Sequence, residues 1–178
     1  MSMVDAVDTN NANSLIPGAT LHAVITVTGT PAPMGSGRCI NKGGRCMFVK
    51  GGSDKQKAAV QDWTKAVADA CYMWREHRGF PPPLSGPLGI GQIFYHPNPP
   101  GNADSVYVHK QGPAGDLDKV IRATWDGITA GQIWEDDSRV SAVGLTTQQW
   151  VTPVQPSPGA VLFIYKLAPA PLQRIKHG

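Results

Sequence analysis

A chain of 178 residues with 41% hydrophobic content is long enough for one domain with a real core and too short to expect two. Its formal net charge of +3 is only mildly basic, so charge by itself singles out no partner. No run approaches the roughly 20 apolar residues of a membrane-spanning helix, and the amino terminus lacks the basic start and apolar core of a signal peptide. The three cysteines, Cys39, Cys46 and Cys71, cannot all pair within one chain and form no Cys-x-x-Cys knuckle. A soluble cytosolic protein with reduced thiols and no membrane partner is therefore expected.

Residues 1–17, rich in Asn, Asp, Ser and Ala without a periodic apolar face, read as a flexible arm ahead of a domain over residues 18–168. From Ala19 to Thr28, Leu21, Ala23, Ile25 and Val27 recur with a period of two, which predicts a strand ended by Gly29-Thr30-Pro31. Asn41-Lys42-Gly43-Gly44 predicts a tight turn leading into a short strand over residues 46–50. Ser53-Asp54 can cap a long helix to about His77, with Ala59, Val60, Trp63, Val67, Ala70, Cys71 and Trp74 forming its buried stripe. Gly79 and Pro81-Pro82-Pro83 stop that helix.

Residues 88–95 read as the next strand, followed by a Pro-, Gly- and Asn-rich loop over 96–115. Asp116 stands as the N-cap of a second helix in which Leu117, Ile121, Trp125 and Ile128 share a face. Strands over 139–147 and 160–167 and a basic tail over 169–178 complete the chain. The order β-β-α-β-α-β-β implies one compact α/β or α+β domain, a mixed sheet with two main helices packed on it.

Charge is unevenly placed. Bases including Arg38, Lys42, Arg45 and Lys50 outnumber acids between Arg38 and Arg78, whereas Asp116, Asp118, Asp126, Glu135, Asp136 and Asp137 outnumber Lys119, Arg122 and Arg139 between Asp116 and Val140. Crowded carboxylates repel one another and raise each other's pKa, so a fold that gathers them normally supplies a cation. A basic surface around an acidic pocket suits a polyanion cleaved with a divalent ion. Solvated faces, a helix cap at Asp116 and a polar turn at Asp136-Asp137 account for the same residues without chemistry.

The run from Asp116-Leu117-Asp118-Lys119 through Arg122 and Asp126, continuing to Trp134-Glu135-Asp136-Asp137-Ser138-Arg139-Val140, resembles without a gap the signature of the RusA family of Holliday-junction resolvases. In that family the pattern is Asp-Leu-Asp-Asn-Leu-x-Lys-x-x-x-Asp, then an apolar residue, x, and Asp-Asp-x-x-Val. The resemblance implies a RusA-like fold, a homodimer and a bacterial cytoplasmic setting, with host and phage encoding both open. It further implies Asp116, Asp118 and Asp137 as catalytic, magnesium-binding acids with Asp136 in support, Arg122 as a catalytic cation, and manganese able to replace magnesium. A two-fold dimer suits the symmetry of a four-way DNA junction and its paired nicks. Arg38, Lys42, Arg45, Lys50, Lys119 and Arg139 are the expected DNA contacts.

The chain departs from the family at three places: Lys119 stands for an Asn, Arg122 for the catalytic Lys, and Gly115 for a basic residue common before the first Asp. Arginine binds phosphate through a bidentate contact but does not exchange protons near neutral pH. The expected function is a magnesium-dependent endonuclease that resolves Holliday junctions in recombination and repair. A nuclease for other branched DNA and a weak or silent branched-DNA-binding protein are the alternatives.

Overall fold

The computed structural model describes residues 16–35, 37–50, 52–99, 105–108 and 115–168, with the backbone alone for 37–42 and 45–50. Most of the expected arm, the basic tail, part of the 96–115 loop and the side chains of Arg38, Lys42, Arg45 and Lys50 lie outside the described residues. The elements are β1 (Ala19–Thr28), β2 (Gly37–Lys42), β3 (Arg45–Lys50), α1 (Asp54–Glu76), β4 (Leu88–His96), α2 (Leu117–Ala130), one 3-10 turn (Asp137–Arg139), β5 (Val140–Trp150) and β6 (Gly159–Leu167).

One four-stranded sheet runs in the order β1-β6-β4-β5, and β2 and β3 form a separate hairpin. β6 is antiparallel to both neighbours, whereas β4 and β5 are parallel and joined through α2. A parallel pair cannot be closed by a tight turn, so the helix between them is a topological requirement. This is the expected α+β domain with a mixed sheet and two packed helices. No helix among the described residues is long and apolar enough to cross a membrane.

The sequence reading missed β2. Lys42 pairs with Arg45, leaving Gly43 and Gly44 as a two-residue turn with φ of 61° and 77°. Two successive positive φ values suit glycine and match the twist of a hairpin, so the turn joins two arms rather than introducing one strand. In β1 the simple alternation also fails. A register shift between Leu21 and Ala23 sends Ala23, Ile25 and Val27 toward the helices, while Leu21 and Val24 face the opposite side of the sheet. One extra residue changes side-chain parity, which a period-of-two count cannot anticipate.

Ser53 caps α1 by accepting a hydrogen bond from the Gln56 amide at 3.2 Å. The buried face is Trp63, Val67, Cys71 and Arg75, each four residues from the next. Ala59 is exposed rather than buried, and Arg75 takes the stripe's last place, its guanidinium donating to Pro81 O at 2.9 Å and Gln132 Oε1 at 2.8 Å. The helices cross closely because α2 presents glycine. A Cβ on Gly127 would lie 2.7 Å from Val67 Cβ, and one on Gly131 would lie 2.4 Å from Cys71 Cβ. Beside this contact Trp63 Nε1 donates to Thr124 Oγ1 at 3.0 Å, and the Trp63 ring meets Phe94 edge-on at 6.4 Å. The helix-side core thus fixes α2 on both its axis and its rotation, and with it the acids at its start.

Candidate functional site

Asp116 occupies the N-cap position of α2 with extended backbone, φ −75° and ψ 136°. Its carboxylate does not cap the helix as a cap residue normally does; it accepts instead from Lys119 Nζ, one turn on. That hydrogen bond, with the charges of Asp116 and Asp118 adding to it, raises the Lys119 ammonium above its ordinary pKa, while desolvation opposes the shift. Lys119, expected to meet DNA, is therefore engaged with one of the expected metal ligands.

Leaving α2, the chain doubles back along it. Trp134, 1% exposed, packs edge-on against Trp125 at 6.2 Å and donates from Nε1 to Thr129 Oγ1 at 2.6 Å. Asp118, Trp125 and Thr129 stand seven and four residues apart, hence on one side of the helix. The chain then continues from Trp134 into the 3-10 turn, which touches α2. The direction is fixed from the outside by a parallel bridge between Leu84 and Trp134 and by the pairing of Leu88 with Val140.

Asp136 and Asp137 differ although adjacent. Asp136 caps the 3-10 turn, its carboxylate accepting from the Ser138 amide at 2.9 Å. Hydrogen bonding from Ser138, with the nearby Arg139 charge, holds its pKa below the ordinary carboxylate value. Asp137 is exposed, and no described side chain makes a hydrogen bond or ion pair with it, with Asp118 or with Arg122. Arg139, another expected DNA contact, pairs with Glu135 at 2.9 Å across an exposed i, i+4 spacing. Such a surface pair is worth little and exchanges readily for a phosphate.

Among the described residues no three Asp, Glu, His or Cys side chains converge as a ready metal cage. Magnesium does not require one, since it keeps several waters and is commonly held by one or two carboxylates together with substrate phosphates. Asp118 and Asp137, exposed hard oxygen donors on two touching elements, suit that mode, and Asp116 is available only in exchange for Lys119.

Gly115 was read as the loss of a basic residue. The structure gives it a packing reason instead: its φ is +70°, and a Cβ there would lie 2.4 Å from Pro33 Cγ and 2.6 Å from Pro33 Cβ. The segment after β1 folds over the start of α2, pinned by a hydrogen bond from the Met34 amide to the Lys119 carbonyl at 3.1 Å. The only sequence hint of this contact was Gly29-Thr30-Pro31-x-Pro33. No protein-family model matches the chain, and no curated protein matches it.

Proposed function

We propose that this chain is a magnesium-dependent endonuclease for branched DNA, with four-way junctions as its substrate and a homodimer as its working form. The observation that carries the reading is that the chain turns back after α2, Trp134 packing on Trp125 and Thr129 and the 3-10 turn of Asp137 touching the helix that carries Asp118 and Arg122. Two acidic segments separated by a helix length in sequence thereby lie on touching elements.

In this reading Asp118 and Asp137 hold the ion, Asp136 fixes the turn that presents Asp137, and Arg122 offers a bidentate, permanently charged contact to a phosphate. When bound, magnesium supplies the Lewis acidity that phosphodiester hydrolysis requires. Two copies related by a two-fold axis would offer two such surfaces to a nearly two-fold substrate. The hairpin β2-β3 supplies the expected basic residues, with Lys42 opposite Arg45 and Arg38 opposite Val49 in backbone register.

The decisive experiment incubates pure protein with labelled four-way, three-way, flap and linear DNA, with magnesium, manganese or chelator. Asp118→Asn or Asp137→Asn should abolish cleavage and leave junction binding intact or tighter, because each removes a ligand and a negative charge that repels phosphate. Arg122→Lys should keep most activity and Arg122→Ala should lose it. Full cleavage by Asp118→Asn, or cleavage indifferent to chelator, would refute the reading. A silent junction-binding protein is the second reading, favoured by the occupation of Asp116 by Lys119. Tight, salt-sensitive junction binding without cleavage in either metal would establish it instead.

A further inference from the structure

Beside Asp116, the segment after β1 and the starts of both helices line two adjoining cavities of about 420 and 830 Å³. They share Pro33, Gln56 and Gly115, so they form one bent cleft. Asp116 and Lys119 stand at its smaller, polar end. The larger end is lined by Pro31, Ala32, Ala59 and an almost wholly buried Trp63, together with Lys55 and Asp62, and its lining is mostly apolar.

We infer that this cleft receives one unstacked nucleotide of the DNA strand next to the cut phosphate, and that Gln56 reads its base. The inference rests on the nuclease reading for the identity of the strand. Volumes of this order belong to sites for single small molecules, and a duplex is far too wide to enter. The two ends differ as the two halves of a nucleotide do. A mostly apolar lining suits the face of a base, while the Lys119 ammonium at the polar end suits the phosphate and the Asp116 carboxylate keeps phosphate from going deeper.

Gln56 lines both cavities, and its side-chain amide makes no hydrogen bond within the described residues. A free carboxamide offers a donor and an acceptor side by side, the pair needed to grip a base edge with two hydrogen bonds. The Ser53 cap fixes its backbone amide, and the absence of a Cβ on Gly52 leaves room for its Oε1 beside that residue.

The test uses four-way junctions with 2-aminopurine, whose fluorescence rises on unstacking, placed singly at nucleotides flanking the cut, together with Asp118→Asn protein to hold them uncut. A several-fold rise at one flanking position is expected, abolished when Ala59→Trp is added to fill the larger end. In cleavage-competent protein, Gln56→Ala should flatten the base preference at that position by about tenfold without changing thermal stability or the magnesium dependence. No rise at any flanking position, an equal rise with Ala59→Trp, or an unchanged base preference with Gln56→Ala would overturn the inference. If the unsubstituted protein cuts nothing, the nuclease reading fails, while a fluorescence rise that Ala59→Trp removes would still establish the cleft as a nucleotide site.

Discussion

Replacing Gly115 by alanine tests whether the start of α2 is held by close contact with the Pro33 segment. Two penalties add at this position. A non-glycine residue in the left-handed region costs about 1 to 2 kcal/mol. A methyl group 2.4 Å from Pro33 Cγ and 2.6 Å from its Cβ must displace a ring that is part of the backbone, an overpacking cost of about 1 to 3 kcal/mol. At about 2 to 4 °C per kcal/mol for a chain of this size, the melting temperature should fall by roughly 5 to 15 °C.

Gly79 supplies the control. Its φ is also +70°, but nothing lies within 4 Å of its missing Cβ, so Gly79→Ala carries the backbone penalty alone. Thermal and urea unfolding of both variants, followed by circular dichroism, should place Gly115→Ala about 1 to 3 kcal/mol below Gly79→Ala. Adding Pro33→Gly should recover much of that difference, because the two residues are in contact and their effects are not additive. Equal losses for the two alanine variants would refute the packing account and return Gly115 to the status of an eroded basic residue.

Two further outcomes follow from the same geometry. Lys119→Asn should free the Asp116 carboxylate and lower the magnesium concentration for half-saturation several-fold in calorimetric titration, and an unchanged midpoint would remove Asp116 from the ligand set. Burial holds His96 neutral, with its pKa pushed down to about 4, whereas the unfolded chain takes up that proton near pH 6.5. Stability should therefore be full above pH 6.5 and fall as pH drops toward 4, by roughly 3 kcal/mol from this group. His96→Phe should flatten that part of the urea-unfolding profile, and an unaltered slope would show that His96 takes up its proton at the same pH folded and unfolded.

Local signals made α1 legible from Ser53 to Gly79, because a side-chain cap, a four-residue stripe and a left-handed glycine act within a turn or two of chain. β1 was legible from the alternation of Ala23, Ile25 and Val27, and β6 from a continuous apolar run. What escaped was set by contacts distant in sequence. β2 has a single large aliphatic residue, Ile40, and exists because β3 pairs with it. Arg75 reads as an exposed helix residue until Pro81 O and Gln132 Oε1 are brought to its guanidinium. Asp116 illustrates the limit at the site itself: its N-cap position was evident, yet Lys119, not the helix amides, takes its carboxylate. The return of the chain onto α2 likewise depends on the packing of Trp134 against Trp125, which no spacing rule supplies.

Two of the three departures from the RusA-like pattern form one structural device. In the resembled pattern a basic residue precedes the first Asp and a neutral Asn follows the second; here glycine precedes and lysine follows. The number of positive charges next to Asp116 and Asp118 is the same as in that pattern, with the charge four residues further along. Pro33 explains the placement, since no side chain fits at residue 115 once the segment after β1 closes over α2. Lys119 lies where that same segment is pinned, its carbonyl accepting from Met34 and its ammonium reaching Asp116. Gly115→Lys combined with Lys119→Asn should give the charge order of the resembled pattern yet remain unstable until Pro33→Gly is added; junction cleavage by the triple variant, and not by the double, would separate the charge requirement from the packing at residue 115.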